Sequence, residues 1–480
     1  MNGLMLQGFE WELIDDGNHY NFLRENLEYF KEKGFTSIWL PPVTKATGTN
    51  DVGYGTYDLY DLGEFDQKGS VRTKYGTKEE LHQLIDKAHE LGISIYADLV
   101  LNHKAGADES EVFKAVMVDQ NDRTKQVSEP MDIEAWTKFT FPGRKGKYSD
   151  FIWTFQHFNG VDYDAKTGTN AIYKILWEDR DWSYAVSSEK GNYDYLMFAD
   201  IDHFNPDVRN ELFSWIEWFI KETNVDGARY DALKHIDQNF INDFSNHILQ
   251  NIKSDFYLVG EYWENDLNRL VDFIDGTSNN VDLFDVTLHY KLHEASKSGG
   301  YFDLRTLFDN SVESQRKFNS VTFVDNHDSQ LGQSLESWVD NWFREIAYAL
   351  ILLRQDGYPC VFFGDLFGIG DGTLYGGMKG KLDILMEIRR DYAYGNEHVY
   401  LQEKNAIGFV RYGNEEHPGR MAVAISNEEA KTVRMEVGAD QSGKIYIDKL
   451  GNNYAEITIG EDGFADFFVS PGSVSVWVEK

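Results

Sequence analysis

A helix followed by a strand can be read from Thr77-Lys-Glu-Glu-Leu-His-Gln-Leu-Ile-Asp-Lys-Ala-His-Glu-Leu-Gly92 and the Ser94-Ile-Tyr-Ala97 after it. Thr77 and Glu80 have the spacing of a capping box, which satisfies free backbone N–H groups at a helix N-terminus. The apolar residues that follow recur on one helical face, at Leu81, Leu84, Ile85, Ala88 and Leu91. Gly92 is suited to end this helix because glycine adopts left-handed backbone angles without steric cost.

The same alternation of short apolar runs and helical patterns extends over most of the 480-residue chain. Another helix is predicted by Phe22, Leu23, Leu27 and Phe30 ahead of Gly34. The predicted strands are eight apolar runs, at 4–6, 37–40, 94–97, 225–228, 257–259, 281–284, 321–324 and 360–362. Eight strand–helix units require a parallel sheet, and at this length a closed barrel is the simplest arrangement. The predicted fold class is therefore α/β, with a (β/α)8 TIM barrel.

Two parts of the chain interrupt this alternation. Residues 104–205 are rich in aromatic residues, Gly and Asp, and they are too many for a plain loop, so they predict a subdomain inserted after the third strand. After about Glu397, short alternating runs are separated by Gly-Asn and Asp-Gly turns, which predicts an antiparallel β-sandwich. We therefore predict a barrel from 1–103 and 206–396, an inserted subdomain at 104–205 and a C-terminal β-sandwich at 397–480.

Composition narrows the possible partners. The chain has 46 Lys and Arg against 80 Asp and Glu, a net charge of −34. A phosphate-binding surface needs clustered cations, so this charge argues against a nucleic acid and against an anionic membrane surface. Apolar residues make up 42% of the chain, enough for several hydrophobic cores. The one cysteine, Cys360, excludes an intramolecular disulfide, and its apolar neighbours predict a buried thiol.

The N-terminal sequence gives an expectation about location. Met1-Asn-Gly-Leu-Met-Leu-Gln-Gly-Phe-Glu10 lacks the basic segment, the long apolar segment and the cleavage site of a secretory signal. No apolar stretch approaches the ~18–20 residues that span a bilayer. If this is the full-length product, we expect a soluble, cytoplasmic protein, and a monomer.

Polar side chains follow several of the predicted strands, at the face of a (β/α)8 barrel where active sites lie. They are Asp98, Asn102 and His103 after the third strand, Arg229, Asp231, Lys234 and His235 after the fourth, Glu261 and Trp263 after the fifth, and Asp325, Asn326, His327 and Asp328 after the seventh. A single acid at such a position is usually solvated or caps a helix. Three carboxylates around one mouth, Asp231, Glu261 and Asp328, instead indicate acid–base chemistry.

These segments resemble the α-amylase family of retaining glycoside hydrolases. The matching motifs are Asp98-Leu-Val-Leu-Asn-His103, Gly227-Ala-Arg-Tyr-Asp-Ala-Leu-Lys-His235, Val259-Gly-Glu-Tyr-Trp263 and Phe323-Val-Asp-Asn-His-Asp328, in the family's order. The likeness covers essentially the whole chain and is greatest toward bacterial liquefying-type enzymes and their cytoplasmic relatives. It implies endo-hydrolysis of α-1,4-glucosidic bonds in starch, glycogen or maltodextrins, with an α-glucan as the partner.

Glycoside chemistry gives the three acids different tasks. A retaining enzyme needs a carboxylate that attacks the anomeric carbon and an acid that protonates the leaving group, about 5–5.5 Å apart. The resemblance makes Asp231 the nucleophile, Glu261 the general acid/base and Asp328 the stabiliser of the transition state. Arg229 should favour the ionised form of Asp231, which lies two residues after it. Glu261 must stay protonated near neutral pH, which requires burial or a nearby negative charge such as Asp328.

The resemblance also implies residues that bind sugar. Tyr54 matches an aromatic ring on which a sugar face packs. His103 and His327 match histidines that hydrogen-bond the sugar at the cleaved bond. Lys234 and Trp263 fit the subsites of the leaving group. An uncharged polymer needs no cationic groove, so the net charge of −34 is compatible with this substrate.

A calcium site is implied as well, since calcium takes six to eight oxygen ligands. Asn102, Asp194, Asp200 and the backbone carbonyl of His235 match the family's structural Ca2+ site, which joins the barrel to the inserted subdomain. Liquefying-type relatives often add a second calcium, bridged by sodium, that uses further acids. Here those positions are Asn159 and Ser183. We therefore expect one Ca2+ ion and not the second cluster.

Other functions on the same fold stay open. α-Glucosidases, oligo-1,6-glucosidases and glucanotransferases share the three acids, although the Lys234-His235 pair after Asp231 favours an α-amylase over an exo-glucosidase. A catalytically inactive carbohydrate-binding protein would be expected to lack an acid. A metal-dependent barrel hydrolase would need paired histidine ligands at the strand ends, and no strand supplies such a pair.

Overall fold

The computed structural model describes residues 2–480, and Met1 of the predicted barrel lies outside this range. Its centre is a closed barrel of parallel strands, in which each strand pairs with the next one along the chain and the last pairs with the first. The barrel strands are β1 (Met5–Gln7), β2 (Ser37–Pro42), β3 (Ser94–Leu99), β4 (Gly227–Tyr230), β5 (Tyr257–Gly260), β6 (Asp282–Phe284), β7 (Ser320–Phe323) and β8 (Tyr358–Phe362). The predicted (β/α)8 barrel is confirmed.

Helices surround the barrel. They are α1 (His19–Lys33), α2 (Lys78–Glu90), α3 (Pro206–Thr223), α4 (Gln238–His247), α5 (Leu267–Gly276), α6 (Val286–Ser298), α7 (Val312–Arg316), α8 (Asn341–Leu353), α9 (Phe363–Phe367) and α10 (Lys379–Tyr392). Short 3-10 turns lie at Phe155–His157, Leu233–His235, Gly299–Tyr301, Leu304–Thr306 and Ala439–Gln441, and a π turn lies at Ile248–Ile252. Within residues 2–480, no helix combines the length and the apolar character that crossing a bilayer demands.

The signals at the ends of α1 and α2 act as the sequence predicts. The hydroxyl of Thr77 accepts from the backbone N–H of Glu80, and the Glu80 carboxylate accepts from the N–H of Thr77, so the capping box forms. Gly34 ends α1 with a φ of 91°, and Gly92 has a φ of 67° just after α2. Both angles lie in the left-handed region that favours glycine.

The fourth barrel strand lies two residues later than the run at 225–228 predicts. Asp226 precedes β4 and is held by its neighbours: its Oδ2 accepts from the N–H of Ile95, and its carbonyl accepts from the N–H of Tyr257. The shift makes Arg229 a strand residue, paired in register with Asp98 of β3 and Val259 of β5. Its side chain is fully buried within the barrel.

The segment between β3 and α3 forms an antiparallel sheet. In spatial order its strands are His103–Lys104, Ala199–Ile201, Phe158–Asp164, Thr169–Ile175, Glu109–Met117 and Met131–Lys138. The chain thus enters and leaves this sheet through two paired strands, and Asp200 of one lies opposite His103 of the other. A separate short hairpin, Lys45–Ala46 with Thr56–Asp58, brings Tyr54 to the same end of the barrel.

The C-terminal part forms two antiparallel sheets. The larger sheet has the order Glu397–Glu403, Ala406–Arg411, Met421–Ser426, Ser473–Glu479, Ile445–Asp448 and Glu456–Thr458, and Lys431–Glu436 pairs with Phe464–Val469 in the smaller one. Residues of both sheets, including Phe467 and Trp477, share one hydrophobic core. The predicted C-terminal β-domain is confirmed.

Candidate active site

A cavity of about 330 Å³ opens at the carboxyl ends of the barrel strands. The residues from the sequence motifs that line it are Tyr54, His103, Asp231, Lys234, His235, Glu261, Trp263, His327 and Asp328. They come from loops that follow different strands, so the barrel is what gathers them. Arg229 does not line the cavity, but it contacts two acids that do.

The guanidinium of Arg229 connects the acids of the site. Its Nη1 donates to Oδ1 of Asp231 at 2.6 Å and to both oxygens of Asp98 at 3.0 Å. Its Nη2 lies 3.6 Å from Oε2 of Glu261. Arg229 and Asp98 are both buried in the barrel interior. Burial raises the pKa of Asp98 to about 7, and the charge of Arg229 opposes this rise by stabilising the carboxylate. The direct bond to Asp231 stabilises negative charge on the predicted nucleophile.

Glu261 has the environment of a proton donor. Burial raises the pKa of its carboxyl to about 8 against the opposing charge of Arg229, and the charges of Asp231 and Asp328 raise it further. The backbone N–H of Ala232 donates to Oε2 at 2.9 Å and holds the carboxyl in place. Glu261 is therefore protonated near neutral pH, as a general acid must be.

Asp328 is also buried beside other acids. Burial raises the pKa of its carboxyl to about 7, Arg229 opposes this rise, and Asp231 and Asp98 add to it. Its backbone N–H donates to the amide oxygen of Asn326, which fixes the turn after β7. The three predicted acids thus lie in three different electrostatic environments within one cavity.

Aromatic rings form one wall of the cavity. The rings of Tyr54 and His327 are parallel within 4°, with centroids 5.2 Å apart, and Trp11 stacks parallel to both. The hydroxyl of Tyr54 donates to Oδ2 of Asp98 at 3.0 Å and lies 2.7 Å from Nε2 of His327. This wall has the flat apolar character on which sugar faces pack.

His103 uses both ring nitrogens within the protein. Its Nε2 donates to the carbonyl of Tyr54 at 2.9 Å, and its Nδ1 accepts from the side-chain amide of Asn102 at 3.3 Å. A hydrogen bond from this ring to a sugar would need one of these partners to be exchanged. Its binding role stays a prediction, while its position at the cavity wall is clear.

Lys234 and Trp263 lie together at another side of the cavity. The ammonium of Lys234 donates to Oε2 of Glu189 at 2.9 Å and to the carbonyl of Trp263 at 3.1 Å. The indole of Trp263 donates to the hydroxyl of Tyr290, and the residue is only 6% exposed. Trp263 therefore packs mainly into the barrel and presents only a small surface to a ligand.

The residues of the predicted calcium site lie where the inserted sheet meets the barrel. Asn102 Oδ1 and Asp200 Oδ2 are buried without any hydrogen-bond donor, as are Asn159 Oδ1 and Ser183 Oγ nearby. Burial raises the pKa of Asp194 to about 7 and, together with Asp194 and Asp202, raises that of Asp200 well above its usual range. Oxygens left without donors and acids kept close together are what a bound cation would satisfy.

The donor set is short of acids for a metal site. Among residues 2–480, no group of three or more His, Cys, Asp or Glu side chains is arranged to hold an ion. Asn102 and main-chain oxygens would therefore have to complete the ligand set, which calcium accepts. Nδ1 of the His235 ring is occupied by a hydrogen bond to the carbonyl of Tyr193 at 2.7 Å, and the predicted ligand is the backbone carbonyl of His235. The side-chain amide of Asn159 donates to Asp194 at 2.9 Å.

Several residues of the site were not assigned a role from the sequence. Asp98 stands in a matching motif, yet its function as the acceptor for Arg229, Tyr54 and Trp39 emerges only when the strands pair. Trp11 lines the cavity four residues after β1, and Tyr193 lines it next to the predicted calcium ligand Asp194. The strand-end rule that identified the acids would also have pointed to Trp11.

Family models and related proteins match this chain over most of its length. Residues 20–411 match the family model described as alpha amylase, catalytic domain, and residues 421–478 match the model described as alpha-amylase C-terminal. An alpha-amylase of Geobacillus stearothermophilus is 47% identical over 480 residues, which covers 100% of this chain and 87% of that protein. A cytoplasmic alpha-amylase of Escherichia coli K12 is 39% identical, with 99% of each chain covered.

Solved structures support the fold. The crystal structure of an Anoxybacillus alpha-amylase superposes with a TM-score of 0.67 at 18% identity, covering 100% of this chain and 97% of that one. Because the matches of sequence extend over both the barrel and the C-terminal sheets, this chain belongs to the α-amylase family of glycoside hydrolases.

Proposed function

We propose that this protein is an α-amylase that hydrolyses internal α-1,4-glucosidic bonds of starch, glycogen or maltodextrins with retention of anomeric configuration. The observation that carries the proposal is that two acids in one cavity have different electrostatic environments. Asp231 accepts a hydrogen bond from Arg229 at 2.6 Å, while burial raises the pKa of Glu261 to about 8. A charged nucleophile and a protonated acid are the pair that retaining hydrolysis needs.

The steps follow from these two environments. Glu261 gives its proton to the glycosidic oxygen while a carboxylate oxygen of Asp231 attacks the anomeric carbon, so the C–O bond breaks and a glycosyl–Asp231 ester forms. Glu261, now a carboxylate, takes a proton from water as the water attacks the anomeric carbon. This second displacement releases Asp231 and restores the α-configuration. Asp328 and Arg229 lie beside the reacting groups and stabilise the charge that develops on the ring and the nucleophile.

The remaining predicted residues bind sugar around this centre. Tyr54 and His327 contribute the stacked wall, to which Trp11 is added, and His103 closes it. Lys234 and Trp263 lie together on the side that we assign to the leaving group. The names of the two relatives, an alpha-amylase and a cytoplasmic alpha-amylase, support the substrate class and a cytoplasmic location. We further propose that the protein acts as a monomer and, with its net charge of −34, binds neither nucleic acid nor membranes.

We propose one structural Ca2+ ion, held by Asn102, Asp194, Asp200 and the carbonyl of His235. The buried oxygens of Asn102 and Asp200 that lack donors support this set. When bound, the ion would neutralise the paired acids and fix the inserted sheet to the barrel. Asn159 and Ser183 stand where a second cluster would need acids, so we propose that the second cluster is absent.

We propose that the chain divides into a barrel domain at 1–103 and 206–396, an inserted subdomain at 104–205 and a C-terminal β-sandwich at 397–480. The antiparallel sheet that interrupts the barrel sequence and the two that follow it support these limits. The division assigns His103 to the barrel and its strand neighbour Lys104 to the insertion. The active-site cavity then lies between the barrel and the insertion.

The proposed activity is tested by product analysis over time on amylose and on a maltooligosaccharide blocked at its reducing end. Mid-chain cleavage with products first released in the α-configuration is expected. Release of glucose alone would instead identify an exo-acting α-glucosidase, and products longer than the substrate would identify a glucanotransferase. Products in the β-configuration would overturn the retaining mechanism.

A further inference from the structure

Gln7, at the end of β1, contacts an active-site residue from inside the barrel. It is 1% exposed, and its side-chain Nε2 lies 2.9 Å from Nδ1 of His327. His327 lines the active-site cavity, while Gln7 does not. A buried glutamine can either donate or accept, so the chemistry of this contact depends on which ring nitrogen of His327 carries the proton.

The direction of the contact follows from the hydrogen bonds beyond it. Both oxygens of Asp98 face the Arg229 guanidinium, and Oδ2 also receives the indole N–H of Trp39. Burial raises the pKa of Asp98 to about 7, but N–H donors already face both of its oxygens, so Asp98 is the acceptor and the hydroxyl of Tyr54 gives its one hydrogen to it. The oxygen of that hydroxyl can then only accept from Nε2 of His327, which lies 2.7 Å away.

Nε2 of His327 must therefore carry a hydrogen. Burial, and then the charge of Arg229, hold the pKa of this ring well below its usual range, so the ring is neutral and has one N–H. With the hydrogen on Nε2, Nδ1 is an acceptor and needs a donor. The amide N–H of Gln7 is that donor. The hydrogen bonds then all run in one direction, from Gln7 to His327, from His327 to Tyr54 and from Tyr54 to Asp98.

We propose that Gln7 is a positioning residue that holds His327 in the Nε2–H tautomer. The consequence lies on the cavity side of the ring, where Nε2 is also 3.3 Å from Oδ2 of Asp328. In this tautomer the single Nε2–H donates to the hydroxyl of Tyr54 and places a hydrogen, not a lone pair, on the side of that carboxylate; a sugar hydroxyl could accept it only in place of Tyr54. In the other tautomer it would present a lone pair to the carboxylate, which is repulsive. The effect on rate rests on the proposed function, whereas the tautomer itself does not.

The test separates this role from simple barrel packing. Nitrogen-15 NMR of histidine-labelled protein distinguishes the two neutral tautomers and the imidazolium, and a His327→Gln variant identifies the signal among the 13 histidines. The wild-type protein should show His327 as Nε2–H. In Gln7→Glu the new carboxylate accepts from Nδ1, so the signal should change to Nδ1–H or imidazolium. Gln7→Met, which has a similar size but no donor, leaves Nδ1 unpaired while Tyr54 still accepts from Nε2, so the population of the Nε2–H form should fall below that of the wild-type protein, though less than in Gln7→Glu.

Activity provides the second readout. Both Gln7 variants should lose about tenfold or more in kcat/KM on maltooligosaccharides, the effect of one misdirected active-site hydrogen bond. Ser37→Ala is the matched control, because it removes a partly buried hydrogen bond to Tyr358 at the opposite end of the barrel and should keep both the tautomer and kcat/KM.

Two results would overturn the proposal. One is a wild-type His327 in the Nδ1–H form, and the other is an unchanged tautomer and kcat/KM in both Gln7 variants. The wild-type measurement needs no variant, so it decides the tautomer even where a variant does not fold. If the wild-type protein showed no amylase activity but kept the Nε2–H signal, the proposed function would fail and the tautomer assignment would stand.

Discussion

Arg229 donates from Nη1 to Oδ1 of Asp231 across 2.6 Å; Arg229 lies in β4, and Asp231 directly follows that strand. The same guanidinium comes only to 3.6 Å from Glu261, without a hydrogen bond. The two acids therefore receive unequal stabilisation of negative charge from one cation. This asymmetry is the basis for the different roles that we assign to them.

Asp231 and Glu261 should each be essential for activity, but for different chemical reasons. Asp231→Asn and Glu261→Gln should each lower kcat on soluble starch by more than about 10³-fold, since acid–base groups alone contribute about 10²–10⁴. An aryl maltooligoside with a good leaving group needs no proton donor, so Glu261→Gln should still release the aryl group in a burst, whereas Asp231→Asn should not. Circular dichroism checks that both variants are folded. Near-wild-type turnover of starch by either variant would contradict the assignment.

The pH dependence should report the protonation of Glu261. The pKa of this acid is raised to about 8, and catalysis needs its protonated form, so activity should fall as the pH rises through about 8. The charge of Asp328 contributes to this rise. In Asp328→Asn the pKa of Glu261 should fall, and the alkaline limb of the residual activity should move to lower pH. A limb that stays in place or moves to higher pH would show that another group controls it.

Removal of calcium should destabilise the protein. An ion at about 100 times its dissociation constant stabilises the folded state by about 2.7 kcal/mol. A chelator should therefore lower the melting temperature, and added Ca2+ should restore it. Asp200→Asn should remove the response to Ca2+, whereas Asp132→Asn, an exposed partner of Lys114 in the same inserted sheet, should keep it. A melting temperature that does not respond to the chelator would contradict the proposed calcium site.

A buried ion-pair cluster beneath the loop of Asp328 should be essential for stability. Arg344 lies over the ring of Trp338 and donates to Asp325 and to both oxygens of Asp365, with all three charged groups buried. Arg344→Met leaves two buried carboxylates unpaired, so the free energy of unfolding should fall by about 3–5 kcal/mol. Arg434→Met, which removes exposed pairs with Asp462 and Asp466, should cost no more than about 1 kcal/mol. Denaturant titration measures the free energy of unfolding of both variants. An equal loss in Arg344→Met and Arg434→Met would contradict this prediction.

Much of the fold follows from local patterns. The alternation of strand and helix signals predicts the barrel because each signal, such as the capping box of Thr77, is satisfied within a few residues. The position of β4 was less accurate, because Asp226 takes part in hydrogen bonds to Ile95 and Tyr257, which are distant in sequence. The strand at 397–403 is half exposed and does not alternate clearly, so its sequence lacks the alternating pattern that predicts a strand.

The residues of the active site likewise divide into those that local sequence predicts and those that only the folded structure shows. Asp231, Glu261 and Asp328 could be predicted because each lies within a motif, either directly after a recognisable strand or, for Asp328, in the short loop after one. Gln7 could not, because glutamine inside a strand signals nothing until β1 is placed beside the loop of His327. The direction of a chain of hydrogen bonds depends on every member at once, so no single segment of sequence contains it.

The barrel closes by pairing Met5 of β1 with Cys360 of β8. These two residues are separated by about three quarters of the chain, so the first strand leaves the ribosome long before its final neighbour exists. At about 5–20 residues per second, it waits for roughly 20–70 s. During that time the backbone groups on one side of β1 have no partner, and for most of it His327, the contact of Gln7, has not yet been synthesised. The catalytic mouth is therefore completed late in biosynthesis, and an incomplete nascent chain exposes an open sheet edge that chaperones or neighbouring chains can reach.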